Sequence, residues 1–214
     1  PFVAAGVLEG AERVFGLHTA YDLEAGTVGL KPGINNAAVD HFRIRVHGKS
    51  THVSTPHLGV DALYIASQIV VAVQGLVTRR TSPTEPVIIG IGKLNAGTTY
   101  NAVAAFAEME GTTRTISQES RDRVRAQVSE TAQSIAALYG GTAEIEWTDF
   151  AAALVNDPQV CEEAAQVVDE LLGEGHVVTD RELSLSGDNF AEFELYTRMV
   201  DSASWMFSCM TDRL

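Results

Sequence analysis

The sequence predicts a mixed α/β chain. A β-α-β-β-α-β unit, α+β in character, occupies residues 37–150, inside flanking segments 1–36 and 151–214 that belong to a second domain. Three observations carry this prediction. Residues 38–47, 104–115 and 142–148 alternate apolar and polar side chains, the period of a half-buried strand. Residues 59–80 and 117–138 repeat apolar side chains at steps of three and four, the period of an amphipathic helix. Residues 87–94 form a β-branched run bounded by prolines on one side and a Gly/Thr/Asn turn on the other.

In chain order, Pro1-Phe2-Val3-Ala4 begins without an initiator methionine or a basic leader and reads as the interior of a longer chain. Glu9, Glu12 and Arg13 interrupt a small apolar stretch. Val14 to Leu17 then form a short buried-strand candidate, ending at His18. A histidine at the carboxyl end of a strand is placed to face a cleft; on the residues alone it serves equally for packing or capping. Residues 21–36 hold Gly26, Gly29, Pro32, Gly33 and Asn35 and read as a loop or weak hairpin, able to act as a linker.

After the strand at 38–47 comes Gly48-Lys49-Ser50-Thr51-His52-Val53-Ser54-Thr55-Pro56-His57, with two histidines and a lysine among hydroxyls at a strand-to-helix junction. Such a loop is either a solvated turn that caps the next helix, through Thr55 or a polar neighbour, or a binding element. Arg79 and Arg80 close the following helix and complement its dipole. Ser117 caps the second helix, and Gly140-Gly141 stops it. Asp157 caps a further helix to Leu172, Val177-Val178 is a short strand candidate, and residues 188–193 are a polar turn entering a short helix. The β-α-β-β-α-β order is that of a ferredoxin-like sandwich. The tail, residues 201–214, follows no period.

Hydrophobic residues make up 45% of the chain, enough to bury a core, and the formal charge is −13. That balance excludes nucleic acid and anionic membrane as partners, because both demand a basic face. It suits the cytoplasm, the expected compartment. No apolar run approaches the roughly 20 residues of a membrane span. Cys161 and Cys209 form no metal-ligand pair and read as ordinary thiols. His41 and His47 alternate with their strand toward the surface, and Glu144, Glu146 and Asp149 read as a solvated strand face.

Four stretches in order resemble the M20 family of metallo-aminoacylases and peptidases, most closely its N-acyl-amino-acid and indole-acetyl-amino-acid amidohydrolases. They are Gly16-Leu17-His18; Gly48 to His52 with Pro56-His57 and Asp61-Ala62; Ile91 to Gly97 with Asn101; and Gly111-Thr112-Thr113-Arg114. The resemblance runs from about residue 6 to 193. It implies a ferredoxin-like lid inserted in remnants of an α/β metallohydrolase catalytic domain. It further implies His18 as a metal ligand, His52 as a catalytic lid histidine that steadies the developing oxyanion, often in the partner subunit's site, and Asn101 and Arg114 as substrate-binding residues. The complete enzyme would hold two divalent metal ions (zinc, manganese or cobalt). It would act on N-acyl amino acids or small peptides and pair as a homodimer through the lid.

The chain departs from the family in lacking the earlier Cys or His ligands, the acidic pair and the late histidine, so it is expected to be a fragment without the N-terminal ligand half and to hold no metal pair alone. Two readings from other classes stand beside it: a non-catalytic dimerisation or ligand-binding module, since sheet edges are templates for pairing, and a regulatory ligand sensor.

Overall fold

The computed structural model describes residues 5, 6, 10, 11 and 13–192, with the backbone of Ser204–Met210. Pro1 to Ala4, Glu9, Glu12, Phe193, residues 201–203 and 211–214 and the Cys209 side chain, all considered above, lie outside the described residues. The elements in order are β1 (Arg13–Thr19), β2 (Val28–Gly29), β3 (Gly33–Asn36), β4 (Ala38–His47), α1 (Ala62–Gly75), β5 (Ile88–Ala96), β6 (Phe106–Thr115), α2 (Gln118–Leu138), β7 (Thr142–Ala151), β8 (Leu154–Asn156), α3 (Pro158–Leu172), β9 (Val177–Val178) and β10 (Ser204–Met210). The chain divides into two compact units: Pro1–Ala38 with Ala151–Leu214, and Val39–Phe150.

The second unit has the element order β-α-β-β-α-β and one sheet with strand order β5-β6-β4-β7. The alternation in the sequence decides which face is buried. Phe42, Ile44 and Val46 of β4 and Ala107 and Met109 of β6 point into one core, where Ile65, Ile69 and Val73 of α1 and Val124, Val128 and Ala132 of α2 meet them. Strands β5 and β6 pair antiparallel from Ile88↔Arg114 to Ala96↔Ala107, with a register shift between Ile91 and Lys93. The Asp61 carboxylate, and not Thr55, caps α1, accepting from the N–H groups of Leu63 (3.0 Å) and Tyr64 (3.2 Å). Ser117 caps α2, its Oγ accepting from the Ser120 N–H at 3.2 Å.

Leu76–Arg80 continues α1 as a π turn. The combined helix Ala62–Arg80, at 19 residues, is long and apolar enough to cross a membrane by length and composition alone, which corrects the expectation that no run approached that length. Its Ala62, Ile65, Ala66, Ile69 and Val73 instead lie fully buried in the core just described.

One inward position of β4 is charged. Asp40 is 1% exposed and takes three hydrogen bonds from Arg121 (Nε 3.0 and 3.1 Å, Nη2 2.6 Å) and two from Arg125 (Nε 3.0 Å, Nη2 2.5 Å), a spacing of i and i+4 on α2. Arg125 also binds Asp149 and lies 5.4 Å over the Trp147 ring. Its hydrogen bond holds the Asp149 carboxyl below the usual range. Asp149 is thus paired rather than merely solvated, as are Glu146 with Arg45 (3.2 Å) and Glu144 with His47 (3.7 Å). His41 likewise reaches Glu110 at 3.2 Å on the sheet's polar face.

In the first unit β1, β10, β2 and β9 form one sheet, with β1 parallel to β10, and β3 pairs antiparallel with β8. Two expectations change here. Residues 21–36 are not a linker, because β2 and β3 each pair with strands far away in sequence. Strands of two and four residues are too short to show a period. The tail also holds a strand, Ser204–Met210. β1 forms where a strand was expected, but Phe15 and Leu17 are 52% and 68% exposed rather than buried. Asp157 caps α3 as read, accepting from Gln159 and Val160 N–H at 2.8 and 3.0 Å. Val28, Leu30, Val160, Cys161 and Ala164 pack together beneath it.

Candidate functional site

In the Val39–Phe150 unit, the segment after β4 is laced to the segment before β6 by main-chain hydrogen bonds. Gly48 N–H donates to Ala105 O (2.8 Å), Val103 N–H to Thr51 O (2.8 Å) and Val53 N–H to Asn101 O (3.1 Å), and His52 faces Ala102 in an antiparallel bridge. The first segment also folds back on itself, Lys49 and Val60 exchanging both N–H···O bonds at 2.8 and 2.9 Å. Glycine makes that approach possible: a Cβ on Gly59 would stand 2.7 Å from the Lys49 carbonyl oxygen, and one on Gly48 would strike the Val60 carbonyl. The polar ten-residue loop is therefore an ordered platform held by main-chain hydrogen bonds.

The platform presents His52. Its side chain is exposed, and its Nδ1 lies 2.7 Å from Ser54 Oγ and 3.2 Å from the Ser54 N–H. A backbone N–H can only donate, so Nδ1 is the acceptor and the ring proton sits on Nε2. Among the described residues Nε2 has no partner. The imidazole thus offers an N–H donor outward. Asn101 stands on the facing segment, half-buried, its Oδ1 accepting from Thr99 Oγ1 at 3.3 Å and its Nδ2 unpartnered among the described residues. In the same unit a hollow of about 310 Å³ is lined by Ser50, Asn95, Thr98, Val103, Phe106 and Glu108, and by neither His52 nor Asn101.

Arg114 is not brought to this end. It pairs with Ile88 near the far end of β6, seven residues beyond Ala107, or about 23 Å at the rise of a strand. It lies on the polar face with Glu108, Glu110 and Thr112, half-buried and without an ion pair among the described residues. On that face Lys93 Nζ donates to Glu110 at 2.7 Å. This bond, then the contact with His41, pulls the Glu110 carboxyl down to about 2 against the opposing effect of burial. His57 lies exposed in a single 3₁₀ turn, Pro56–Leu58.

In the other unit His18 ends β1, its ring Nδ1 2.7 Å from the Thr19 carbonyl oxygen. A carbonyl can only accept, so Nδ1 carries a proton. His18 lines a hollow of about 620 Å³ with Asp22, Asn35, Asn36, Arg181 and Asp188. Of these, Asn35 drew notice in the sequence as a turn former and Asp188 as the start of a polar turn. Asn35 is buried and donates through Nδ2 to Asn36 Oδ1 at 2.6 Å, and Asn36 in turn donates to Ser186 O at 3.3 Å. Adjacent asparagines in an apolar setting were the available signal, since buried amides must find partners. Arg181 binds both Asp22 oxygens (2.7 and 3.0 Å) and lowers the pKa of that carboxyl. Among the described residues no group of three or more His, Cys, Asp or Glu side chains is gathered to hold a metal ion. The described donors do not by themselves fit the dinuclear centre that the resemblance implies.

Comparison with known proteins places this geometry. Residues 36–139 match the family model of the peptidase dimerisation domain. The chain is 35% identical over 190 residues to an N-acetylcysteine deacetylase from Bacillus subtilis, covering 89% of this chain and 49% of that protein. It is 32% identical over 194 residues to thermostable carboxypeptidase 1 from Saccharolobus solfataricus, covering 90% and 48%. Among solved structures it resembles a dinuclear metal-binding peptidase of the M20 family from Bacillus subtilis, with a TM-score of 0.76, 32% identity, and coverage of 98% of this chain and 51% of that one. The chain spans about half the length of the curated relatives it matches.

Proposed function

The chain belongs to the M20 peptidase family, and on that premise we propose that residues 37–150 are the ferredoxin-like lid and dimerisation domain of a metal-dependent amidohydrolase, with 1–36 and 151–214 as parts of its α/β catalytic domain. In the complete enzyme the substrate is an N-acyl amino acid or small peptide, and the bond cleaved is its amide. The relatives' names, a deacetylase and a carboxypeptidase, support that class. His52 donates its Nε2 proton as a hydrogen bond to the carbonyl oxygen while that oxygen gains negative charge, the interaction that counts most in acyl transfer. Asn101 offers its amide to the carbonyl or to the substrate carboxylate. Arg114, from the other end of β6, grips a carboxylate by a forked pair of hydrogen bonds or orders the closed lid. His18 gives one imidazole to a pair of divalent ions (zinc, manganese or cobalt) whose other ligands lie outside the described residues, and two copies pair through the lid.

The observation that carries this reading is the outward Nε2–H of His52 on a loop held to the Asn101 segment by main-chain hydrogen bonds. The test is hydrolysis of N-acetyl amino acids by the complete, metal-loaded protein. His52→Ala is expected to lower kcat about 100-fold or more with KM little changed; equal turnover would remove His52 from the chemistry. The placement of the family match on 36–139 favours a second reading, a non-catalytic dimerisation module. Two tightly held divalent ions per purified chain would rule that out.

A further inference from the structure

We infer that Ser54 is a positioning residue that fixes the tautomer and aim of the His52 ring, an inference that rests on the role proposed for His52. Three observations point to it. The turn that carries His52 closes without the Ser54 hydroxyl: Thr55 donates its N–H (2.9 Å) and its Oγ1 hydrogen (3.2 Å) to the His52 carbonyl, and Val53 N–H is taken by Asn101. The Ser54 hydroxyl is instead directed at the ring, 2.7 Å from Nδ1. The Ser54 N–H addresses the same nitrogen at 3.2 Å, so one residue supplies two donors to one acceptor.

The chemical consequence follows from the inventory of an imidazole. A neutral ring has one donor and one acceptor nitrogen, and which is which depends on the partner that one of them finds. Two donors on Nδ1 exclude a proton there and leave it on Nε2, the edge that faces away from the platform. They also stop rotation of an exposed side chain that would otherwise sample several rotamers. A histidine whose task is to donate must be delivered in the donating form. A residue beside it can therefore govern rate without touching substrate.

The test reads the ring itself, in the chain as it stands. Long-range ¹⁵N–¹H spectra at about pH 8, where free imidazole is neutral, report each ring nitrogen as protonated or bare; His52→Gln assigns the His52 signals by their loss. In the wild type Nε2 is expected protonated and Nδ1 bare. Ser54→Ala removes one of the two donors and should shift both signals toward the averaged values of a free imidazole, with backbone resonances elsewhere unchanged. Ser54→Thr should restore them. In the complete enzyme Ser54→Ala should lower kcat about tenfold with KM nearly constant. A proton on Nδ1 in the wild type, or unaltered ring signals in Ser54→Ala, overturns the inference whatever the activity. Altered ring signals combined with full turnover in His52→Ala would instead overturn the functional role on which it rests.

Discussion

His18 and His52 are both exposed histidines at the end of a strand or on a loop beside one, and their surroundings set them in opposite forms. At His18 the neighbour of Nδ1 is a backbone carbonyl, which draws a proton to Nδ1. At His52 the neighbours are a backbone N–H and a hydroxyl, which leave Nδ1 bare and the proton on Nε2. One ring is held with Nδ1 as donor and the other with Nδ1 as acceptor. The main chain decides it in each case, one residue away at Thr19 and two residues away at Ser54. The local backbone, rather than the side chain, selects which ring nitrogen donates.

The two units also differ in how they hold a carboxylate, and that difference predicts the largest effect on stability. Asp40 is buried between Arg121 and Arg125, whereas Asp22 pairs with Arg181 at a side-chain exposure of 48%. Asp40→Asn removes the buried carboxylate that both guanidinium groups bind, leaving them only the exposed Asp149, and should cost about 3 kcal/mol or more. Asp22→Asn should cost about 1 kcal/mol or less, since exposed pairs gain little. Urea unfolding of both variants measures the contrast, and comparable losses would break it.

A smaller effect is expected on acidification. The folded Glu110 carboxyl titrates at about 2, below its ordinary 4.5, so the folded state binds this proton more weakly than the unfolded chain. Its contribution is therefore present above about pH 4.5 and lost as the pH falls toward 2. The urea midpoint should decline in that window for the wild type and decline less for Glu110→Gln. The exposed Glu163 carboxyl is lowered as well, chiefly by its hydrogen bond to Arg13.

Much of this was legible in the residues, and the failures have physical causes. Strands β4, β6 and β7 and helices α1 and α2 announced themselves because each buries one side, and burial on one side writes a period; α3 announced itself by its Asp157 cap. Strands β2 and β3 did not, since a ladder of two to four residues is fixed by distant partners such as Val177 and Asn156. The strand at Ser204–Met210 was missed because it does not alternate; it lies between β1 and β2 in the sheet. Asp40 left a clue that went unused: it sits in the same phase as Phe42, Ile44 and Val46, and a charge at an inward position requires a partner, here an arginine pair one helical turn apart. The loop around His52 stood out through its composition. Its pairing with the Asn101 segment did not, because no local pattern encodes a bridge between residues 52 and 102. Arg114 stood in sequence order with the other site residues, yet the length of β6 carries it away from them.

The most direct test of the contrast between the two histidines is a single long-range ¹⁵N–¹H spectrum of the neutral chain, with His18 and His52 assigned by substitution. The account predicts opposite patterns in the same sample: a proton on Nδ1 of His18 and on Nε2 of His52. The same tautomer at both rings, or rapid averaging at both, would contradict it.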